Sequence, residues 1–161
     1  MRNIVRIAVL VVMVASLFGC KRAFAQTSTL VQQGEEAYAQ EDYETAFRLF
    51  TESCNDGDMK GCYGLGWMYV SGTGVPLNYT RAAELYRQGC DGGEIPCCYN
   101  LGVLFENGNG VPQNHTRAAE LYQQACDGGH IIGCFNLGNM YTDGNGVPQN
   151  HTRAAELYQQ A

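Results

Sequence analysis

Apolar residues recur along this chain in two alternating stripes of helical period. In one, Cys134, Leu137, Gly138 and Tyr141 stand at i, i+3, i+4 and i+7, and in the other Ala118, Leu121, Tyr122 and Ala125 do the same. Such spacing gathers residues on one face of an α-helix and would scatter them over both faces of a strand. Each stripe mixes small with large residues, which predicts close helix packing at the glycine or alanine with an aromatic ring filling the gap beside it. No segment carries a strand signal, so the expected class is all-α.

The stripes return every 36 residues. Leu65, Leu101 and Leu137 share a register, as do Gly66, Gly102 and Gly138, then Pro76, Pro112 and Pro148, then Arg81, Arg117 and Arg153. Self-similarity at this period marks an array of stacked units. Between the stripes, residues 72–78, 108–114 and 144–150 each hold two glycines and a Val-Pro. Proline stops a helix, and the asparagine closing each loop is placed to cap the next one. Upstream, residues 27–40 read as an opening helix, Gln40 to Asp42 as a tight turn, and Tyr43 to about Asn55 as a second helix bearing Ala46, Leu49 and Phe50 on one face. The connection after residue 40 is shorter than the later ones, so residues 26–56 read as an atypical capping pair and 57–161 as the repeats. Residues 108–125 return unchanged at 144–161, and the register calls for another cysteine just past Ala161. The last unit therefore reads as truncated, and the sequence as a fragment of a longer array.

Cysteines punctuate the same period, as Cys54 with Cys62, Cys90 with Cys98, and Cys126 with Cys134. Eight residues of continuous helix would separate two Cα atoms by about 12 Å, whereas a disulfide tolerates about 7 Å. Pairing thus requires the chain to reverse between them, and Gly128 and Gly129 supply residues that tolerate the turn. The cysteines would staple two antiparallel helices. Each bridge would close a loop of roughly nine residues, worth about 2.5 kcal/mol by chain entropy.

The first residues indicate an oxidising destination. Arg2 and Arg6 precede the apolar run 7–18, too short to span a bilayer but suited to a signal-peptide core, and Ala23-Phe24-Ala25 offers a cleavage site before Gln26. Residues 1–25 are therefore expected to be a signal peptide. Leu17-Phe18-Gly19-Cys20 supplies a competing lipobox in which Cys20 would be lipidated and anchor the protein. Both routes lead to the periplasm or the exterior of a bacterium, where paired cysteines form disulfides rather than zinc sites, whose ligands also prefer closer spacing. Cleavage removes four cations and no acids, leaving 6 Lys and Arg against 16 Asp and Glu. That excess of acid disfavours nucleic acid as a partner. Asn78, Asn114 and Asn150 also begin N-x-T sequons, for which helix capping is the preferred reading beside this leader.

Motifs for hydrolysis are missing. None of Ser16, Ser28, Ser53 or Ser71 is followed by a lysine at the third position, as a serine β-lactamase motif requires. His115 and His151 lie one repeat apart, which stacking would place in successive layers, and His130 lies in a turn. All three read as surface residues. No metal site and no cofactor are expected.

The segment from Tyr99 to Phe105, then Gly108 to Pro112, then Arg117 to Tyr122 resembles the SEL-one-like repeat, a relative of the tetratricopeptide repeat. With the cysteine pairs and the leader, the chain is similar to the Helicobacter cysteine-rich proteins over nearly everything after Gln26. The resemblance implies an α/α superhelical solenoid, about three and a half antiparallel helix pairs here with one disulfide per pair, and a concave face for ligands. It also implies an interaction scaffold for peptides or partner proteins, or alternatively a β-lactam-binding protein with weak β-lactamase activity, with a peptidoglycan-like small molecule as a further ligand class. Carried over from tetratricopeptide relatives, the ligand-facing positions are Tyr63, Trp67, Tyr99, Val103, Phe135 and Asn139, with Glu106 and Thr142 further along. Lys60 alone on that face is basic, which argues against a carboxylate clamp. Cys97 departs from the pattern, since Gly61 and Gly133 hold its place elsewhere. It reads as a free thiol, and as a small packing residue beside Cys98 in preference to a reactive one, because Glu94 opposes the thiolate.

Overall fold

The computed structural model describes residues 30–161; the expected signal peptide, Cys20 and residues 27–29 of the expected opening helix lie outside the described residues. The described chain contains no strand. It runs α1 (residues 30–39), α2 (Tyr43–Asn55), α3 (Met59–Ser71), α4 (Tyr79–Asp91), α5 (Ile95–Asn107), α6 (His115–Asp127), α7 (Ile131–Asp143) and α8 (His151–Tyr158). From α2 onward each helix packs chiefly on the next in sequence, as a stacked array requires.

Loop chemistry sets the helix ends. Asn78, Asn114 and Asn150 accept through Oδ1 from the backbone N–H of Arg81, Arg117 and Arg153 at 3.0, 2.9 and 2.9 Å, meeting one orphan donor of each first turn. Asp42 caps α2 through Thr45 N–H at 3.2 Å. The tight reversals after α2, α4 and α6 turn on Gly57, Gly93 and Gly129 at φ +90°, +90° and +84°, a region that any Cβ disfavours.

Those reversals bring the cysteines together. Cys54–Cys62, Cys90–Cys98 and Cys126–Cys134 are bonded, with Cα atoms 4.6, 4.6 and 4.5 Å apart. All six are buried, so reagents in solution reach none of them without an opening of the fold.

The glycine of each Leu-Gly pair does what the mixed stripe predicts. A Cβ built on Gly66, Gly102 or Gly138 would come within 2.6, 2.8 or 2.5 Å of Cε1 of Tyr86, Tyr122 or Tyr158. Each ring from α4, α6 or α8 therefore lies directly on the backbone of α3, α5 or α7. Tyr86 and Tyr122 are buried there, and burial of a side chain that size contributes about 2 kcal/mol or more.

Candidate functional site

The face shared by α3, α5 and α7 is built on these tyrosines. Above them, Tyr63, Tyr99 and Phe135 hold one register and pack ring against ring, with centroids 6.3 Å from Tyr86, 5.7 Å from Tyr122 and 5.6 Å from Tyr158. Three equivalent aromatic pairs thus occupy three successive levels, but their hydroxyls meet different partners. Tyr86 Oη is buried with no hydrogen-bond partner. Tyr122 Oη donates to Glu106 Oε2 at 2.5 Å, and Tyr158 Oη donates to Asn139 Oδ1 at 2.8 Å and lies 3.1 Å from Thr142 Oγ1. Two columns of the repeat explain the contrast: one holds Val70, then Glu106, then Thr142, and the other Trp67, then Val103, then Asn139.

The positions carried over from the family separate into two groups. Trp67, Phe135 and Asn139 are exposed, while Tyr63, Tyr99, Val103, Glu106 and Thr142 are half-buried. Tyr63 and Tyr99 spend much of their surface on the core beneath them. Trp67 at 46% exposure and Phe135 at 49% remain open, and Ile132 at 53% lies one turn before Phe135. Ile132 and the floor tyrosines were not among the expected site residues. The floor was legible as a column, Tyr86, Tyr122 and Tyr158, at the repeat spacing.

Burial tunes the ionisable groups here. It pushes the phenols of Tyr86 and Tyr122 well up, with Glu106 raising Tyr122 further, so both remain protonated donors at neutral pH. Tyr63 is raised by burial and then by the Cys97 thiol, and the Asn100 amide works against both. Glu94 is raised by burial, with Lys60 opposing the shift.

His130 differs from its expected surface role. Its Nδ1 accepts from Gly133 N–H at 3.2 Å, capping α7, and its ring stacks on Tyr99 at 4.5 Å. The position is the N-cap, occupied by Asp58 in α3 and Glu94 in α5, and burial holds the His130 pKa below its ordinary value. With Nδ1 accepting, the ring proton sits on Nε2. His115 is half-buried at the start of α6, and His151 is exposed at the start of α8.

Cys97 is the described chain's free thiol, and it is fully buried. A Cβ on Gly89 of α4 would lie 2.3 Å from its Sγ. At the two other levels the roles reverse: Gly61 faces Ser53, and Gly133 faces Ala125. Each level therefore places one side chain and one glycine at this contact, and Cys97 fills the space that Gly89 vacates. Burial, with Glu94 adding to it, pushes the thiol up to about 12, which removes the thiolate needed for reactivity. Among the described residues no group of three or more His, Cys, Asp or Glu is placed to hold a metal ion.

The Sel1 repeat family model matches residues 30–58, 60–94, 95–130 and 131–161, so the chain belongs to the Sel1 repeat family. Against those boundaries each disulfide joins one repeat to the next, since Cys54, Cys90 and Cys126 precede a boundary and Cys62, Cys98 and Cys134 follow it. The fold is similar to a Sel1 repeat protein from Oxalobacter formigenes, with a TM-score of 0.78 and 25% identity over 81% of this chain and 54% of that one. It is also similar to a protective antigen of uropathogenic Escherichia coli strains with an SLR fold, with a TM-score of 0.72 and 27% identity over 83% of this chain and 32% of that one. Helicobacter pylori cysteine rich protein B matches with a TM-score of 0.60 and 27% identity over 74% of this chain and 85% of that one. The chain thus spans about half and a third of the first two proteins. No curated protein sequence matches it.

Disulfides at three repeat boundaries fit an oxidising compartment such as the periplasm or the exterior. No helix among the described residues is long and apolar enough to cross a membrane.

Proposed function

We propose that this protein is an exported, disulfide-stapled Sel1 repeat scaffold that holds an extended segment of a partner protein on the concave face formed by α3, α5 and α7. The observation carrying this reading is the pair of open aromatics, Trp67 and Phe135, on a face whose inner rings Tyr86 and Tyr122 are buried, while Tyr158 beside Phe135 is itself 39% exposed. Rigid aromatic anchors on a prepacked base lose little entropy on binding and recur as energetic centres of interfaces. Sel1 repeats as a class mediate protein–protein contacts, which supports the same reading. Residues 1–25 serve as the signal peptide in this account, with a lipidated Cys20 as the competing route; mass spectrometry of the exported chain distinguishes an N-terminal Gln26 from a lipidated cysteine.

Hydrolysis of a β-lactam gains no support from the described residues. Ser53 is buried against Gly61, and Ser71 Oγ donates to the carbonyl of Met68, so neither hydroxyl has a base beside it.

The test is selection of a phage-displayed library of random peptides against the oxidised protein, followed by anisotropy measurements on Trp67→Ala and Phe135→Ala. At least one substitution should weaken the selected peptides by about tenfold or more, as hot-spot aromatics do. Failure to select any binder, or binders indifferent to both substitutions, would overturn the reading.

A further inference from the structure

In the column that includes the partner of Tyr122, the three levels of the α3/α5/α7 face differ in one charge. Where α3 offers Val70 and α7 offers Thr142, α5 offers the carboxylate of Glu106. Its Oε2 is fixed by Tyr122, and the Glu106 backbone carbonyl is held by Gln113 Nε2 at 2.8 Å. The carboxylate is therefore positioned by a buried phenol rather than swinging freely.

Among the described residues it is also without a counter-ion. Of the basic side chains, Arg48, Arg81, Arg117 and Arg153 each pair with a glutamate of their own helix, and among the described residues no cation lies within 4.0 Å of Glu106. A half-buried carboxylate that is hydrogen-bonded by the buried phenol of Tyr122 and unmatched by any cation among the described residues is complementary to a cationic side chain. Charge pairing and ring contact act together on such a group. The acid excess of the chain, 16 acidic to 6 basic residues after Ala25, adds attraction at long range and draws the same class of partner.

We infer that the partner segment on this face presents a lysine or arginine to Glu106 at the α5 level, between apolar contacts to Trp67 on one side and Phe135 on the other. The inference rests on the scaffold reading above and adds to it the chemical class of the segment: basic at one position, apolar around it. Val70 and Thr142 carry no charge, so the preference is confined to one level and fixes the register in which the segment lies.

The experiment repeats the peptide selection on Glu106→Gln beside the wild type. Glutamine retains an acceptor for Tyr122, and an unchanged circular dichroism spectrum and melting temperature verify the fold of the variant. Wild-type binders should be enriched in Lys or Arg at one aligned position, and the enrichment should vanish with Glu106→Gln. For a selected peptide, replacing that lysine with norleucine should weaken binding to the wild type by about tenfold and leave binding to Glu106→Gln unchanged. The wild-type affinity should also fall with added salt. Binders without basic enrichment, or enrichment that persists in Glu106→Gln, would overturn this inference and leave the scaffold reading standing. A library that yields no binder to either protein would overturn both.

Discussion

The contact between Gly89 and Cys97 yields a thermodynamic cycle whose sign follows from the geometry. Gly89→Ala puts a Cβ 2.3 Å from Sγ and 2.9 Å from Cβ of a side chain that is fully buried. Overpacking of this kind costs about 1–3 kcal/mol, and the gain from replacing a helical glycine returns about 0.5–1 kcal/mol, so the net loss centres on about 1.3 kcal/mol. Cys97→Gly empties the same space and forfeits the burial of a small apolar side chain, at about 1.5 kcal/mol with its cavity. The double variant recreates the arrangement at the level of α6 and α7, where Ala125 faces Gly133 and a Cβ on that glycine would lie 2.9 Å from the alanine Cβ. It should stand within about 0.5 kcal/mol of the wild type, so the two changes should couple favourably by about 2–3 kcal/mol, far above the ~0.5 kcal/mol scatter of independent sites. Urea unfolding of the oxidised proteins, followed at 222 nm, measures each corner of the cycle. Additivity within ~0.5 kcal/mol, or stabilisation by Gly89→Ala alone, would refute the argument that Cys97 is retained for volume.

Other outcomes follow from the same contacts. Cys97 should resist iodoacetamide at pH 8 for as long as the protein is folded and react stoichiometrically in 6 M guanidinium; rapid native labelling would contradict its burial and raised pKa. Removing the central staple with Cys90→Ser and Cys98→Ser should cost about 2.5 kcal/mol by loop entropy for roughly nine residues, read as a lower urea midpoint. Because the folded pKa of His130 is lowered, the unfolded chain takes up that proton first. Its contribution is complete above the ordinary value of 6.5 and declines as pH falls below it. His130→Asp, which installs the capping residue that α3 has at Asp58, should reduce the drop in melting temperature between pH 7 and pH 5, and an equal drop in both proteins would contradict the role assigned to the imidazole.

Most of the architecture was legible because the chain marks its own boundaries. The Gly-x-Gly-Val-Pro loops and their closing asparagines mark the ends of α3, α5 and α7 and the starts of α4, α6 and α8, and the structure adds the Oδ1 bonds that make Asn78, Asn114 and Asn150 caps. The distance limit on a disulfide turns the cysteine spacing itself into a chain reversal. The last helix repeats the sequence of α6 as far as Ala161, yet it ends at Tyr158. The site was harder to read, for a physical reason. Its decisive contacts join side chains 16 and 19 residues apart, Tyr122 with Glu106 and Tyr158 with Asn139, and these meet only when one helix is laid across the next. Periodicity flags the tyrosine column but does not say which atoms its hydroxyls reach. His130 was misjudged as a surface residue because no other level has a histidine at that cap. The partner of Cys97 was in view throughout, as the one glycine in a column otherwise filled by Ser53 and Ala125.

The central claim is that the face of α3, α5 and α7 receives the partner. The direct measurement is a titration of isotope-labelled, oxidised protein with a peptide obtained from the selection, followed by amide and aromatic chemical shifts. The account predicts that shifts concentrate at Tyr63, Trp67, Val103, Glu106, Phe135 and Asn139, with the indole of Trp67 among the largest. Shifts confined to the exposed edges of α4 and α6, around Arg81 and Arg117, would contradict it.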